Sequence, residues 1–74
     1  MRLTLYITGG CHLCEEALAV LAQAGLAEQV ARVEIGYDAV LAERYGRRIP
    51  VLRIEPAGVE LDWPFGVAEV LAGG

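Results

Sequence analysis

The sequence predicts an α/β domain ordered β-α-β-α-β-β-α, with a central four-stranded mixed sheet flanked by helices. Three observations predict it. Two stretches, 2–7 and 30–35, alternate apolar and polar residues with the period of a strand. Two stretches between Cys11 and Tyr45 repeat apolar residues at helical spacing and carry helix start and stop residues. A Pro-Ala-Gly turn at 56–58 separates two further short strands, as in a hairpin.

From Arg2 to Ile7, Leu3, Leu5 and Ile7 fall on one side and Arg2, Thr4 and Tyr6 on the other. Thr8-Gly9-Gly10 breaks this strand. From Cys11 to about Ala24 the residues are strong helix formers, with Leu13, Ala17, Val20, Leu21 and Ala24 at helical spacing. Glu15 and Glu16 suit the positive end of that helix, and Gly25 ends it. Val30 to Ile35 alternates again. Asp38 suits the N-cap of a short helix reaching Tyr45, with Leu41 and Tyr45 on its buried face and Gly46 closing it. Val51 to Ile54 and Val59 to Trp63 form the hairpin, with Val59, Leu61 and Trp63 on one face. Pro64 fits the first turn of a last helix, roughly Phe65 to Leu71, and Gly73-Gly74 reads as a frayed end. The two β-α-β connections call for parallel, right-handed crossovers. The last two strands should pair antiparallel.

At 74 residues the chain forms one domain, residues 1–74. A domain this small buries only about 60% of its unfolded surface, so its margin is thin. The net charge is −4 and all six basic residues are arginine. No basic stripe can track a phosphate backbone, which argues against nucleic acid as a partner. Arg47-Arg48 is the densest basic spot, either a solvated loop or a local attraction for an anionic thiol. No apolar run approaches the roughly 20 residues that span a bilayer, and Met1 to Leu5 lacks the form of a secretory leader. A cytoplasmic protein without membrane contact is expected. In that compartment structural disulfides stay reduced.

Against that background the two cysteines, Cys11 and Cys14, carry the chemistry. They stand three apart between a strand and a helix. A disulfide closing a ring of about four residues constrains the unfolded chain by only roughly 2 kcal/mol, a weak reason to keep the pair as a staple. Zinc wants four ligands, and the chain offers two thiols and His12, which would point away from their shared face. Thiol–disulfide exchange needs a thiolate, and a free thiol with pKa about 8.5 is only slightly ionised near neutrality. The unpaired N–H groups and dipole of a helix N-terminus stabilise that anion. Cys11, nearest the helix end, is the expected attacking thiolate, and Cys14, one turn on, the resolving thiol. His12 either adds positive charge beside the thiolate or only spaces the cysteines. The pH midpoint of Cys11 alkylation in His12→Ala separates these readings.

Three features together resemble the thioredoxin fold in its minimal form. Cys11-His12-Leu13-Cys14 follows the first strand and opens the first helix. Ile49-Pro50 precedes the third strand. A hairpin and a final helix close the domain. The chain is most similar to small bacterial glutaredoxin-like proteins, through Gly10-Cys11-His12-Leu13-Cys14, the stretch Tyr45-Gly46-Arg47-Arg48-Ile49-Pro50-Val51, and Trp63-Pro64-Phe65. The resemblance implies a thiol–disulfide oxidoreductase with no bound cofactor, acting as a monomer on a disulfide-containing protein or a glutathione mixed disulfide. It implies that Pro50 is cis and that Ile49 offers its backbone to a substrate strand; the alternative reading is an ordinary trans proline opening an edge strand. Asp62 could bind the ammonium of glutathione as co-substrate, or be a solvated hairpin carboxylate. Tyr6, Trp63 and Phe65 could line a groove or pack in the core. The chain departs from the glutaredoxin pattern in His12-Leu13 between the cysteines and in having no lysine. A metal or glutathione-bridged iron–sulfur module and a non-catalytic binding module of the same fold stand as alternatives.

Overall fold

A computed structural model describes residues 2–73; Met1 and Gly74 lie outside the described residues. The elements are β1 (Arg2–Ile7), α1 (His12–Gln23), β2 (Val30–Glu34), α2 (Ala39–Tyr45), β3 (Val51–Glu55), β4 (Val59–Asp62) and α3 (Val67–Gly73). The strands form one mixed sheet in the order β2-β1-β3-β4. This is the order and class that the alternation and helical spacing predict.

The alternation of β1 sorts the two faces of the sheet. Leu3 and Leu5 pack with Leu52 and Ile54 of β3, Ala17 and Leu21 of α1 and Val70 of α3, with Ile7, Val59, Leu61 and Trp63 against them. Tyr6 points the other way, into a smaller cluster of Ile35, Tyr45 and Val51 with Leu41 and Ile49. Helices α1 and α3 therefore cover one face, and α2 covers part of the other. Among the described residues no helix is long and apolar enough to cross a membrane.

The second crossover differs from expectation. β1 and β2 are parallel, but β3 runs antiparallel to β1, with Tyr6 opposite Val51 and Arg2 opposite Glu55. Tyr45 at the end of α2 packs with both Ile35, where the chain leaves β2, and Val51, where it enters β3, so the chain re-enters the sheet at the end it left and β3 runs back. β3 and β4 pair antiparallel as predicted.

Helix ends show how local signals set the element lengths. Gly25, at φ +75°, ends α1. Its N–H donates to Ala22 O at 3.0 Å, while Leu26 N–H donates to Leu21 O at 2.9 Å. Leu21 and Leu26 are both buried, completing a Schellman motif. Only glycine takes that left-handed conformation without cost. Gly46 closes α2 differently. Its φ is −55°, and a Cβ there would collide with the Ala42 carbonyl; the position needs glycine for space, not for a left-handed conformation.

The last helix starts later than Pro64 suggests. Gly66 N–H donates to Glu69 Oε2 at 2.6 Å, so Glu69 caps the helix from its third position. Phe65 packs in the core ahead of it. Gly73, expected to fray, lies within α3. The remainder of that expectation falls on Gly74, outside the described residues.

Candidate redox site

Cys11 sits where β1 hands over to α1. Gly10, at φ +73°, turns the chain out of β1, and Cys11 N–H donates to Thr8 O at 3.3 Å. Cys11 is itself the N-cap of α1, with extended backbone (φ −84°, ψ 109°). Its Sγ accepts the N–H of Cys14 at 3.2 Å. A sulfur thus occupies the place that a serine or aspartate oxygen usually fills. It lies against the positive end of a 12-residue helix.

The two sulfurs are joined as a disulfide, with Cα atoms 5.3 Å apart, inside the usual range of about 4.4–6.8 Å. Their surroundings differ. Cys14 is 4% exposed, on the buried stripe with Ala17 and Leu21, whereas Cys11 is partly open to solvent. Leu13, expected on that buried stripe, is instead 44% exposed. Cys14 takes the core-facing place of the first turn, and Leu13, one residue earlier, is rotated outward by about 100°.

His12 is well exposed, with Nδ1 3.9 Å from Glu15 Oε2 and Nε2 3.9 Å from Glu16 Oε2. Both contacts lie along the helix surface, where solvent screens them.

Ile49–Pro50 is a cis peptide bond, as the resemblance implies. Pro50 is buried immediately before Val51, which lies opposite Tyr6, so the proline adjoins the end of β1 from which the Cys11 loop departs. Ile49 N–H donates to Tyr45 O at 3.1 Å. A substrate strand pairing here would meet the Ile49 carbonyl, with the N–H already occupied.

Asp62 lies opposite Val51 across the hairpin. Its Oδ1 accepts from Arg48 Nε at 3.0 Å and from Arg48 Nη2 at 2.8 Å. The carboxylate is thus partnered within the chain through Oδ1. Asp62 also contributes, ahead of the other causes, to holding the Arg48 guanidinium above its ordinary pKa. Among the described residues no three His, Cys, Asp or Glu side chains are grouped to hold a metal ion.

A polar network under α2 was not visible in the sequence. Tyr45, 1% exposed, stacks on Tyr6 with centroids 4.2 Å apart. Its hydroxyl donates to Glu60 Oε2 at 2.6 Å. Glu60 also receives Arg48 at 3.3 Å and Arg53 at 3.2 Å, and Arg53 pairs with Glu55. The Tyr45 hydrogen bond, followed by the arginines, holds the Glu60 carboxyl below its usual range against the opposing effect of burial. The same hydrogen bond and burial raise the Tyr45 phenol. The only available signal was the register that sets Glu60 opposite Arg53, and register emerges from pairing. Tyr6, Trp63 and Phe65 serve packing: Trp63 and Phe65 meet edge to face at 5.1 Å.

A cysteine pair opening the first helix, a cis-proline at the neighbouring strand, and a four-stranded mixed sheet with helices on both faces define a small thioredoxin-like dithiol protein. A family model described as glutaredoxin-like domain (DUF836) matches residues 2–72, and the chain belongs to that family. The X-ray structure of the Northeast Structural Genomics target protein XcR50 from X. campestris is 49% identical to it. That match has a TM-score of 0.86 and covers 97% of this chain and 93% of that one. A solution structure of XcR50 gives a TM-score of 0.84 at 49% identity, covering 99% of this chain and 91% of that one. The solution structure of protein Ne2328 from Nitrosomonas europaea is 31% identical, with a TM-score of 0.75 and coverage of 97% and 87%. No curated protein matches the chain.

Proposed function

We propose that this protein is a thiol–disulfide oxidoreductase working through Cys11 and Cys14. One observation carries the reading: the Cys11 sulfur caps α1, bonded to the Cys14 N–H, while Cys14 lies buried one turn away within disulfide reach. The N–H groups and dipole that meet the sulfur in the disulfide also stabilise the thiolate once the pair is reduced.

In the reduced protein the Cys11 thiolate attacks one sulfur of a substrate disulfide. The substrate S–S bond breaks, its other sulfur leaves as a thiolate, and a mixed disulfide to Cys11 forms. Cys14 then loses its proton to solvent and attacks the Cys11 sulfur. The Cys11–Cys14 disulfide forms and the second substrate thiolate departs. The substrate gains two electrons and the protein dithiol loses two. A thiol reductant, with glutathione a candidate, restores the dithiol by the reverse exchange.

Turnover tests this reading. Reduced protein should reduce insulin or a glutathione mixed disulfide. Cys11→Ser should abolish the reaction, and Cys14→Ser should accumulate the mixed disulfide, visible by mass. Folded, reduced protein inert toward both substrates would refute it.

A further inference from the structure

The peptide linking Ile49 to Pro50 adjoins the end of β1 from which the Cys11 loop departs. It offers acceptors only. The Ile49 N–H is bonded to Tyr45 O at 3.1 Å, and proline has no N–H. Ile49 packs its side chain against the cluster of Ile35, Tyr45 and Val51, and Pro50 is buried. What remains for a partner is the Ile49 carbonyl. Among the described residues no turn or loop N–H donates to it. Its placement decides whether a chain lying beside the dithiol gains a hydrogen bond.

That placement is fixed from both sides through one residue, Asp62. Val51, which follows Pro50, is paired with Tyr6 of β1 and with Asp62 of β4. Arg48, which precedes Ile49, reaches the same Asp62: its Nε and Nη2 donate to Oδ1 at 3.0 and 2.8 Å. Nη2 also lies 3.3 Å from Glu60 Oε1, and the guanidinium carbon lies 5.4 Å from the centre of the Tyr45 ring. The Arg48 N–H donates to Tyr45 O at 2.8 Å, beside the Ile49 N–H. Residues 48–51 thus form a short arch with both feet on Asp62. Arg47, one residue earlier, is exposed and forms no ion pair among the described residues. The Arg48 and Asp62 side chains are 38% and 58% exposed. A pair so open to solvent adds little to global stability. Two donors converging on one carboxylate oxygen still restrict where the arch can sit.

Resting on the exchange reading above, we infer that Arg48 is a positioning residue, clasped by Asp62 and Glu60 so that the Ile49 carbonyl receives an N–H from a polypeptide strand whose disulfide Cys11 attacks. The guanidinium itself touches no substrate; it acts through the backbone one residue on. An acceptor already in place needs no ordering when the partner arrives, so more of its hydrogen bond shows as affinity. The benefit goes to disulfides within a polypeptide, which present an N–H near the cysteine. A small disulfide without one gains nothing from it. Asp62 serves the same selection by holding Arg48.

Three probes test this, each a 2-pyridyl mixed disulfide whose thiopyridone release by reduced protein is followed by absorbance. They are the acetylated and amidated peptide Ala-Val-Cys-Val-Ala, the same peptide N-methylated at the cysteine and both valines, and mercaptoethanol. Each rate is normalised to that with dithiothreitol. Each peptide's rate is then divided by the mercaptoethanol rate of the same protein, which cancels changes in thiolate reactivity. In the parent the unmethylated peptide should react about fivefold faster than the methylated one, the scale of one hydrogen bond. Arg48→Gln should reduce that preference to below about twofold. Asp62→Ala leaves Arg48 one bond to Glu60 and should reduce it to about threefold or less. Both side chains are well open to solvent, so both variants should fold. No preference in the parent, or a preference that Arg48→Gln leaves unmoved, would overturn the inference. So would a loss in Arg48→Gln alone, since Arg48 would then meet the peptide itself. In each case reaction of the mercaptoethanol probe leaves the exchange reading intact. Failure of all three probes would overturn both.

Discussion

Removing the Tyr45 hydroxyl tests the polar network that ties α2 to the hairpin. Tyr45→Phe keeps the stack on Tyr6 and loses the bond to Glu60. A hydrogen bond to a charged group is worth about 1.5–3 kcal/mol, and two arginines still hold Glu60, so a loss of roughly 1–2 kcal/mol is expected. The pH dependence carries a clearer signature. Glu60 has its carboxyl lowered on folding, so its contribution is full above the unfolded value of about 4.3 and fades as pH falls through the folded one. The Tyr45 phenol is raised, so its contribution is full below about 10 and fades as pH rises through the folded value. Urea midpoints measured across pH should fall at both extremes in the parent. In Tyr45→Phe the alkaline fall should shrink, since the raised phenol is gone, and the acid fall should weaken. Unchanged profiles would show that the bond does not contribute in solution.

At the scale of elements, α2 depends on its cap. Seven residues are too few for an isolated helix to persist, so its ends and its packing decide whether it forms. Asp38 accepts both the Val40 and Leu41 N–H groups. Asp38→Ala should cost about 1 kcal/mol of global stability, and amide exchange in residues 39–45 should speed up more than in α1. Uniform change across both helices would argue against a local capping role. The legibility of each element followed how local its cause is. Asp38, Gly25 and the alternation of 2–7 act within a turn or a strand, and all three could be read. Glu69 capping its own helix was equally local and was missed, because Pro64 offered a competing start.

The whole molecule rests on one main cluster between the sheet and the helices α1 and α3. Leu5 is fully buried at its centre, on the central strand β1. Leu5→Ala should cost about 2–5 kcal/mol. A domain of this size holds roughly 4–11 kcal/mol in all, so the variant should lose a large share of its stability. Its denaturation midpoint should drop steeply with little change in slope. A drop under 1 kcal/mol would show that the core collapses around the gap. The dithiol is mounted on this same cluster, because Cys14, Ala17 and Leu21 share one stripe of α1.

The sequence by itself determined the elements, the place of the cysteine pair at a strand–helix junction, and the division of Leu3, Leu5 and Ile7 from Tyr6. Each follows from periods of two or 3.6 residues and from residues acting on their immediate neighbours. Only the tertiary structure decided the direction of β3, the tie between Arg48 and Asp62 and the Tyr45–Glu60 network. These depend on which strands pair and in what register. Register is a property of the packed sheet, set as Tyr45 packs between Ile35 and Val51 and brings β3 back beside β1.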